Sequence, residues 1–447
     1  ERGIKMKKKI ALALLIVVIL LGIGGVYAYF ATSAFKTGKE LFFSYMTSDL
    51  LSNLKDENLK EYIKKQENNA YTNKGSIALE VQDDGSISNE TLQMIKNSKV
   101  TFEGKTDNSK KIAEQTLTME LAQGINIPVK VRRDGETLGI QSNLLNTKFI
   151  AVRNENLKNL LERLGADAED VPDKIDFEES TFTESEIKEL KEKYFSILDE
   201  NLDEELFSKE KANDQTTIKL SMTEEKAKDV LIKIFQTIRD DETLLKKFSG
   251  VIDKDDLKQQ IDDLVDELKD IEPDEKTTFE MKISVKSKKV EKIEMNIKED
   301  ENITANILIE NSQNKLSIKA YDEGDSILEL QIEKETNEND VTYKIDIKTD
   351  LDTELADQEK AEIHLTVQYK NLATLDNVEE NYELKLSTQD YYESNTDLKL
   401  NYTNVKQFNS KIEIEGINSE NAITLNDATD DEIDELLITI YKNLGLY

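Results

Sequence analysis

From Thr277 to Ile417 apolar residues fall on every second position, strand after strand. Phe279, Met281, Ile283 and Val285 open the series, and Ile293, Met295 and Ile297 follow. Ile303, Ala305, Ile307 and Ile309 extend it, then Val341, Tyr343, Ile345 and Ile347, and it runs on to Ile412 and Ile414. Lys, Glu, Asn, Thr and Asp fill the positions between. A period of two with one wet face predicts an antiparallel meander of about ten strands. So many strands do not stay flat and open, and the sheet must curl or split. A shorter alternating region runs from Ile77 to Val152, with Asp84-Gly85 and Asp134-Gly135 as turn signals.

Between the two regions the period changes to that of a helix. Leu157, Leu160, Leu161 and Leu164 follow a capping Asn156 and end at Gly165. Thr183-x-x-Glu186 predicts a capping box, as does Ser221-x-x-Glu224. The second opens a helix whose apolar face holds Ala227, Val230, Leu231, Ile234, Phe235 and Ile238. Leu257, Ile261, Leu264 and Leu268 mark another, and Thr429-x-x-Glu432 opens a last one bearing Ile433, Leu436, Leu437, Ile440 and Leu444.

At the other end, Ile10 to Phe30 is apolar on every face and carries no charge, after Lys5, Lys7, Lys8 and Lys9. This reads as a spanning helix with its basic side in the cytoplasm, in competition with a cleaved signal peptide. Glu1-Arg2-Gly3 can be back-translated into a purine-rich stretch that resembles a ribosome-binding site, which further predicts a natural start at Met6. The expected fold class is therefore α+β: an N-terminal transmembrane helix, then a large curled antiparallel β-meander with amphipathic helices covering its apolar face. The expected organisation is a cytoplasmic tail (1–9), a transmembrane signal-anchor (10–30), a stem helix (31–67) and an extracytoplasmic α+β region (68–447). Phe42, Tyr45, Leu50, Leu54 and Tyr62 suggest the stem, and a division into two lobes is expected near 205–215.

Composition narrows the chemistry. The 447 residues include no Cys, no Trp and one His, which removes thiolate metal sites, disulfides and Cys nucleophiles. His364 lies between Ile363 and Leu365, so alternation places it on the wet face. A net charge of −33 repels nucleic acid and anionic headgroups. Acid clusters at Asp253, Asp255, Asp256 and at Asp427, Asp430, Asp431 lack the order of a calcium loop and sit at helix starts, where they favour the macrodipole. No catalytic, metal or cofactor residue is nominated.

Three stretches together, FIAVRNENLKNLLERLG (149–165) with the following Val171-Pro172-Asp173-Lys174, LSMTEEKAKDVLIKIF (220–235) and ITLNDATDDEIDELL (423–437), resemble a family of uncharacterised single-span, extracytoplasmic membrane-anchored proteins of Firmicutes. That resemblance implies no activity. More loosely, the curled sheet with helices on it is similar to LolA-type lipoprotein carriers, although this chain lacks their lipobox cysteine.

The functional expectation is a non-catalytic, membrane-anchored extracytoplasmic protein. It would bind or scaffold a cell-envelope component, either a lipid or acyl chain or a protein partner, and no nucleic acid. The competing expectations are a carboxylate-dependent envelope hydrolase and an envelope sensor acting through a partner protein.

Overall fold

The computed structural model describes residues 37–46, 50–83, 99–121, 125–165, 173–174, 184–248, 254–270, 272–350, 358–390, 395–408 and 411–443. The chain divides into two compact units. One comprises Glu1–Lys55, Asp176–Glu333 and Asp346–Thr353; the other comprises Asp56–Ile175, Lys334–Ile345 and Glu354–Tyr447.

The chain begins with helices α1 (Gly38–Met46) and α2 (Glu57–Asn68). Six strands follow: β1 (Ala70–Asp83), β2 (Lys99–Asp107), β3 (Ile112–Leu121), β4 (Ile125–Asp134), β5 (Thr137–Ser142) and β6 (Asn146–Arg153). Next come α3 (Leu157–Arg163), α4 (Glu184–Asn201), β7 (Phe207–Ala212), β8 (Gln215–Thr223), α5 (Glu224–Arg239), α6 (Glu242–Phe248) and α7 (Lys254–Lys269). The long β region contains β9 (Thr277–Lys286), β10 (Lys289–Glu299), β11 (Asn302–Ser312), β12 (Lys315–Asp322) and β13 (Asp325–Asn337). It continues with β14 (Asp340–Asp350), β15 (Gln358–Lys370), β16 (Asn377–Asp390) and β17 (Asn395–Gln407). The short β18 (Ala422–Thr424) and α8 (Asp430–Asn443) complete the order.

The expected fold class is corrected by this architecture. Among the described residues there are eighteen strands of sheet, and nine of them, β9 to β17, fall in 277–417, where about ten were expected. Among those residues no helix is long and apolar enough to cross a membrane, so the transmembrane helix of the expected class has no place in the structure described. Ile10–Phe30, on which that expectation rests, lies outside the described residues. The stem helix is corrected as well. Two separate helices, α1 and α2, stand where one was expected over 31–67, and Asp56 caps the second by accepting from the backbone N–H groups of Asn58 and Leu59. The stretch 205–215 lies inside one unit, running from a short 3₁₀ turn through β7 to the start of β8, and the units divide elsewhere. Strands such as β5 and β7 escape a reading by periodicity because they are six residues long and β7 carries one large apolar residue, Phe207.

In the first unit β7 to β13 pair consecutively and antiparallel. Register aligns the apolar positions into transverse rows. One row is Ile218, Ile283, Ile293, Ile309, Ile318 and Leu330. The next is Leu220, Met281, Met295, Ile307, Ala320 and Leu328, and a third holds Met222, Phe279, Ile297 and Ala305. Helix α5 is capped by Thr223, which accepts from Lys226 N, two residues later than the expected Ser221. Its Ala227, Val230, Leu231, Ile234 and Phe235 are all buried.

In the second unit β15, β16, β17, β1, β2, β3, β4, β5 and β6 pair antiparallel in that order, and β18 adds parallel to β6. Asp134-Gly135 turns β4 into β5, with Gly135 at φ 58°. Ile412 and Ile414, expected in a strand, lie in an extended segment outside any ladder. That segment crosses β4 and β5. Asp134 accepts from the Ile417 N–H at 2.9 Å, and Ile417 packs where Gly139 has no side chain. Two of the three familiar-looking stretches meet here. Ile423 pairs with Ile150, and Leu160 of α3 packs with Ile433 and Leu436 of α8. Thr429 and Glu432 form the expected capping box, with bonds of 2.7 and 3.3 Å. Asn156 makes no side-chain cap and instead takes a left-handed conformation.

Candidate functional site

The rows of the first unit's sheet are largely buried. The isoleucine row lies in packed core, with Ile218 and Ile283 at 0 % exposure. Over the next two rows, sheet and helices leave a small apolar cavity of about 80 Å³.

Its floor is Leu220, Met281, Met295 and Ile307 from one row and Met222, Phe279, Ile297 and Ala305 from the next. Ala227, Val230, Leu231 and Ile234 of α5 form one wall. Phe195 and Leu198 of α4, with Leu202 just beyond it, form another, and Phe42 and Phe43 of α1 close a third side. The phenyl rings interlock edge to face: Phe42 lies 5.2 Å from Phe207, and Phe43 lies 5.7 Å from Phe195. Three methionines in the floor give the cavity an adaptable lining.

Buried polar groups hold the walls in place. Asp241 accepts from the N–H groups of Thr243 and Leu244 at the start of α6, and from Lys193 Nζ at 2.7 Å and the Tyr194 hydroxyl at 3.2 Å on α4. Burial raises the Asp241 carboxyl, but Lys193 and the Leu244 N–H outweigh it and the net shift is downward. Glu224, also buried, accepts from Asp274 N at 2.8 Å and ties α5 to the approach to β9.

Glu280, Asn296 and Asn306 also border the cavity, but register sets them apart. They alternate with Met281, Met295 and Ile307, so their side chains stand on the opposite face of the sheet. There Glu280, 4 % exposed, is bound by Lys219, by Lys282 at 2.9 Å and by Lys298 at 3.1 Å. Burial pushes the Glu280 carboxyl up, yet the three ammonium groups prevail and hold it at about 2. Asn306 donates to Asn296 Oδ1.

The second unit has its own buried polar knot. Glu380 Oε1 accepts from the Tyr62 hydroxyl at 2.7 Å and Lys406 Nζ at 3.0 Å, and Oε2 accepts from Asn404 at 2.9 Å. Burial and the nearby Glu380 charge push the Tyr62 phenol far up. The knot pins α2 to β16 and β17, which is a structural role.

The polar residues weighed in the sequence take structural positions. His364 is 39 % exposed in its side chain and lies 3.5 Å from Glu362. Asp255 and Asp256 occupy the first turn of α7; Asp253 lies outside the described residues, as does Thr183. Asp427 pairs with Arg153 and Asp430 with Arg163, at 2.6 and 2.9 Å. The residues that shape the cavity were half legible. The α5 stripe is plain in the sequence, whereas Phe42, Phe43 and Phe195 come together through tertiary structure. The alanines at 227 and 305, small residues in otherwise bulky apolar series, are the signal that marks the space.

No family model matches the chain, and no curated protein matches it. Among solved structures it is similar to the CymD monoaromatic hydrocarbon channel, at TM-score 0.23 and 6% identity, covering 80% of this chain and 92% of that one. It is also similar to OpdQ of Pseudomonas aeruginosa, at TM-score 0.15 and 5% identity over 76% and 97% of the two chains. A third is Transferrin Binding Protein B of Haemophilus parasuis, at TM-score 0.12 and 9% identity over 75% and 76%. At such scores none indicates a shared fold.

Proposed function

We propose that the protein is a non-catalytic, extracytoplasmic binding protein that holds an acyl chain of a cell-envelope lipid between the sheet and helices α1, α4 and α5 of its first unit. The observation that carries this reading is the cavity over Met281 and Met295, whose inward side chains are apolar. Such a lining offers apolar contact and exclusion of water but, among the described residues, no inward nucleophile or general acid. The basic residues ahead of the apolar run at 10–30 support export. Native mass spectrometry of the purified chain tests the proposal: a co-purifying lipid, or a one-to-one adduct with added decan-1-ol, is the expected result. A chain that carries no lipid and forms no adduct overturns it.

A further inference from the structure

Resting on that reading, we infer that the cavity selects a single-chain lipid whose head is uncharged, such as a fatty alcohol or monoacylglycerol, and discriminates against a free fatty acid. An anion entering an apolar site needs a cation or several hydrogen-bond donors there to replace its water. Among the described residues that border this cavity there is no Lys, Arg or His.

The cations close in space are already committed elsewhere. Lys219, Lys282 and Lys298 surround Glu280 on the opposite face of the sheet. On the helices, Lys226 lies 3.6 Å from Asp203, and Lys39 lies 3.1 Å from Asp199. Lys233 donates to Asn201. The polar residues at the border, Glu280, Asn296 and Asn306, are turned to the far face by register, where Glu280 holds its lysines and the two asparagines bond each other. A carboxylate drawn in with its chain would therefore lose water and gain no partner. A hydroxyl or ester head loses far less on the same transfer.

The test is isothermal titration of the full-length protein at pH 8 with decan-1-ol, decanoate and decyltrimethylammonium, each below its aggregation threshold. Decan-1-ol is expected to bind at least tenfold more tightly than decanoate, and the ratio is expected to persist in 0.5 M salt. Decanol and decanoate binding within threefold of each other overturns the inference while leaving the acyl-chain reading intact. A preference that vanishes in high salt also overturns it, because the discrimination would then come from the protein's net charge of −33 through a screenable field. Weaker binding of the cationic ligand than of decanoate contradicts the inference too, since it would place an unrecognised cation at the site. No binding by any of the three overturns the acyl-chain reading itself.

Discussion

Ala305 on β11 stands directly across the ladder from Ile297 on β10. In the neighbouring row Met295 faces Ile307, so a methyl group at Ala305 takes a place where larger side chains lie alongside. The space it leaves belongs to the cavity. Ala305→Leu is expected to fill it and weaken decan-1-ol binding at least tenfold, read by calorimetry. Because the added atoms enter existing space, the stability cost in urea unfolding should stay below about 1 kcal/mol; a cost of about 1–3 kcal/mol with binding intact would mean overpacking of a closed core.

Phe235 belongs to the same apolar stripe as Ile234, but only Ile234 borders the cavity. Phe235 is 4 % exposed and serves as core. Phe235→Ala should cost about 3–5 kcal/mol in urea melts. A loss under about 1 kcal/mol would place this part of α5 outside the packed core.

The sequence made the sheet legible wherever alternation was long. The rows through Ile283 and Met281 follow from the register of β8 to β13, and their apolar members stand in the sequence at period two. It was silent on β7, whose five residues after Phe207 are polar or small, and on the joining of 149–165 with 423–437, which depends on contacts across more than 250 residues. It overextended the helix expected over 31–67, because Phe42, Leu50 and Leu54 recur at roughly helical spacing although Ser52–Leu54 forms a short 3₁₀ turn between two helices. The cavity itself depends on which rows the helices cover, and side-chain pattern along one strand does not contain that.

Lys406 and Glu380 are buried partners in the second unit. Lys406→Met leaves the carboxylate buried among tyrosines without its cation, and the expected loss is about 3–5 kcal/mol by chemical denaturation. Adding Glu380→Gln should recover much of it, since the uncompensated charge is removed. Equal instability of the single and double variants would show that packing, not charge, dominates the knot.

Acid stability should depend on Glu280. Its carboxyl is held at about 2 in the folded protein, against about 4.3 in an unfolded chain. A lowered folded value contributes stability that is fully present above the unfolded value and is lost as pH falls towards the folded one. Unfolding free energy should therefore decline between about pH 4.3 and 2 through this residue, and Glu280→Gln should flatten that part of the profile. An unchanged acid profile in the variant would remove Glu280 as a contributor.

The most direct measurement uses the methionines. The chain has seven; Met222, Met281 and Met295 border the cavity, and Met119 lies in the other unit at 38 % exposure. With methyl-¹³C methionine in the full-length protein, titration of decan-1-ol should shift the methyl resonances of Met222, Met281 and Met295 together, saturating at one equivalent and leaving Met119 in place. If those three stay fixed while ligand is added, or if Met119 alone responds, the cavity does not hold an acyl chain.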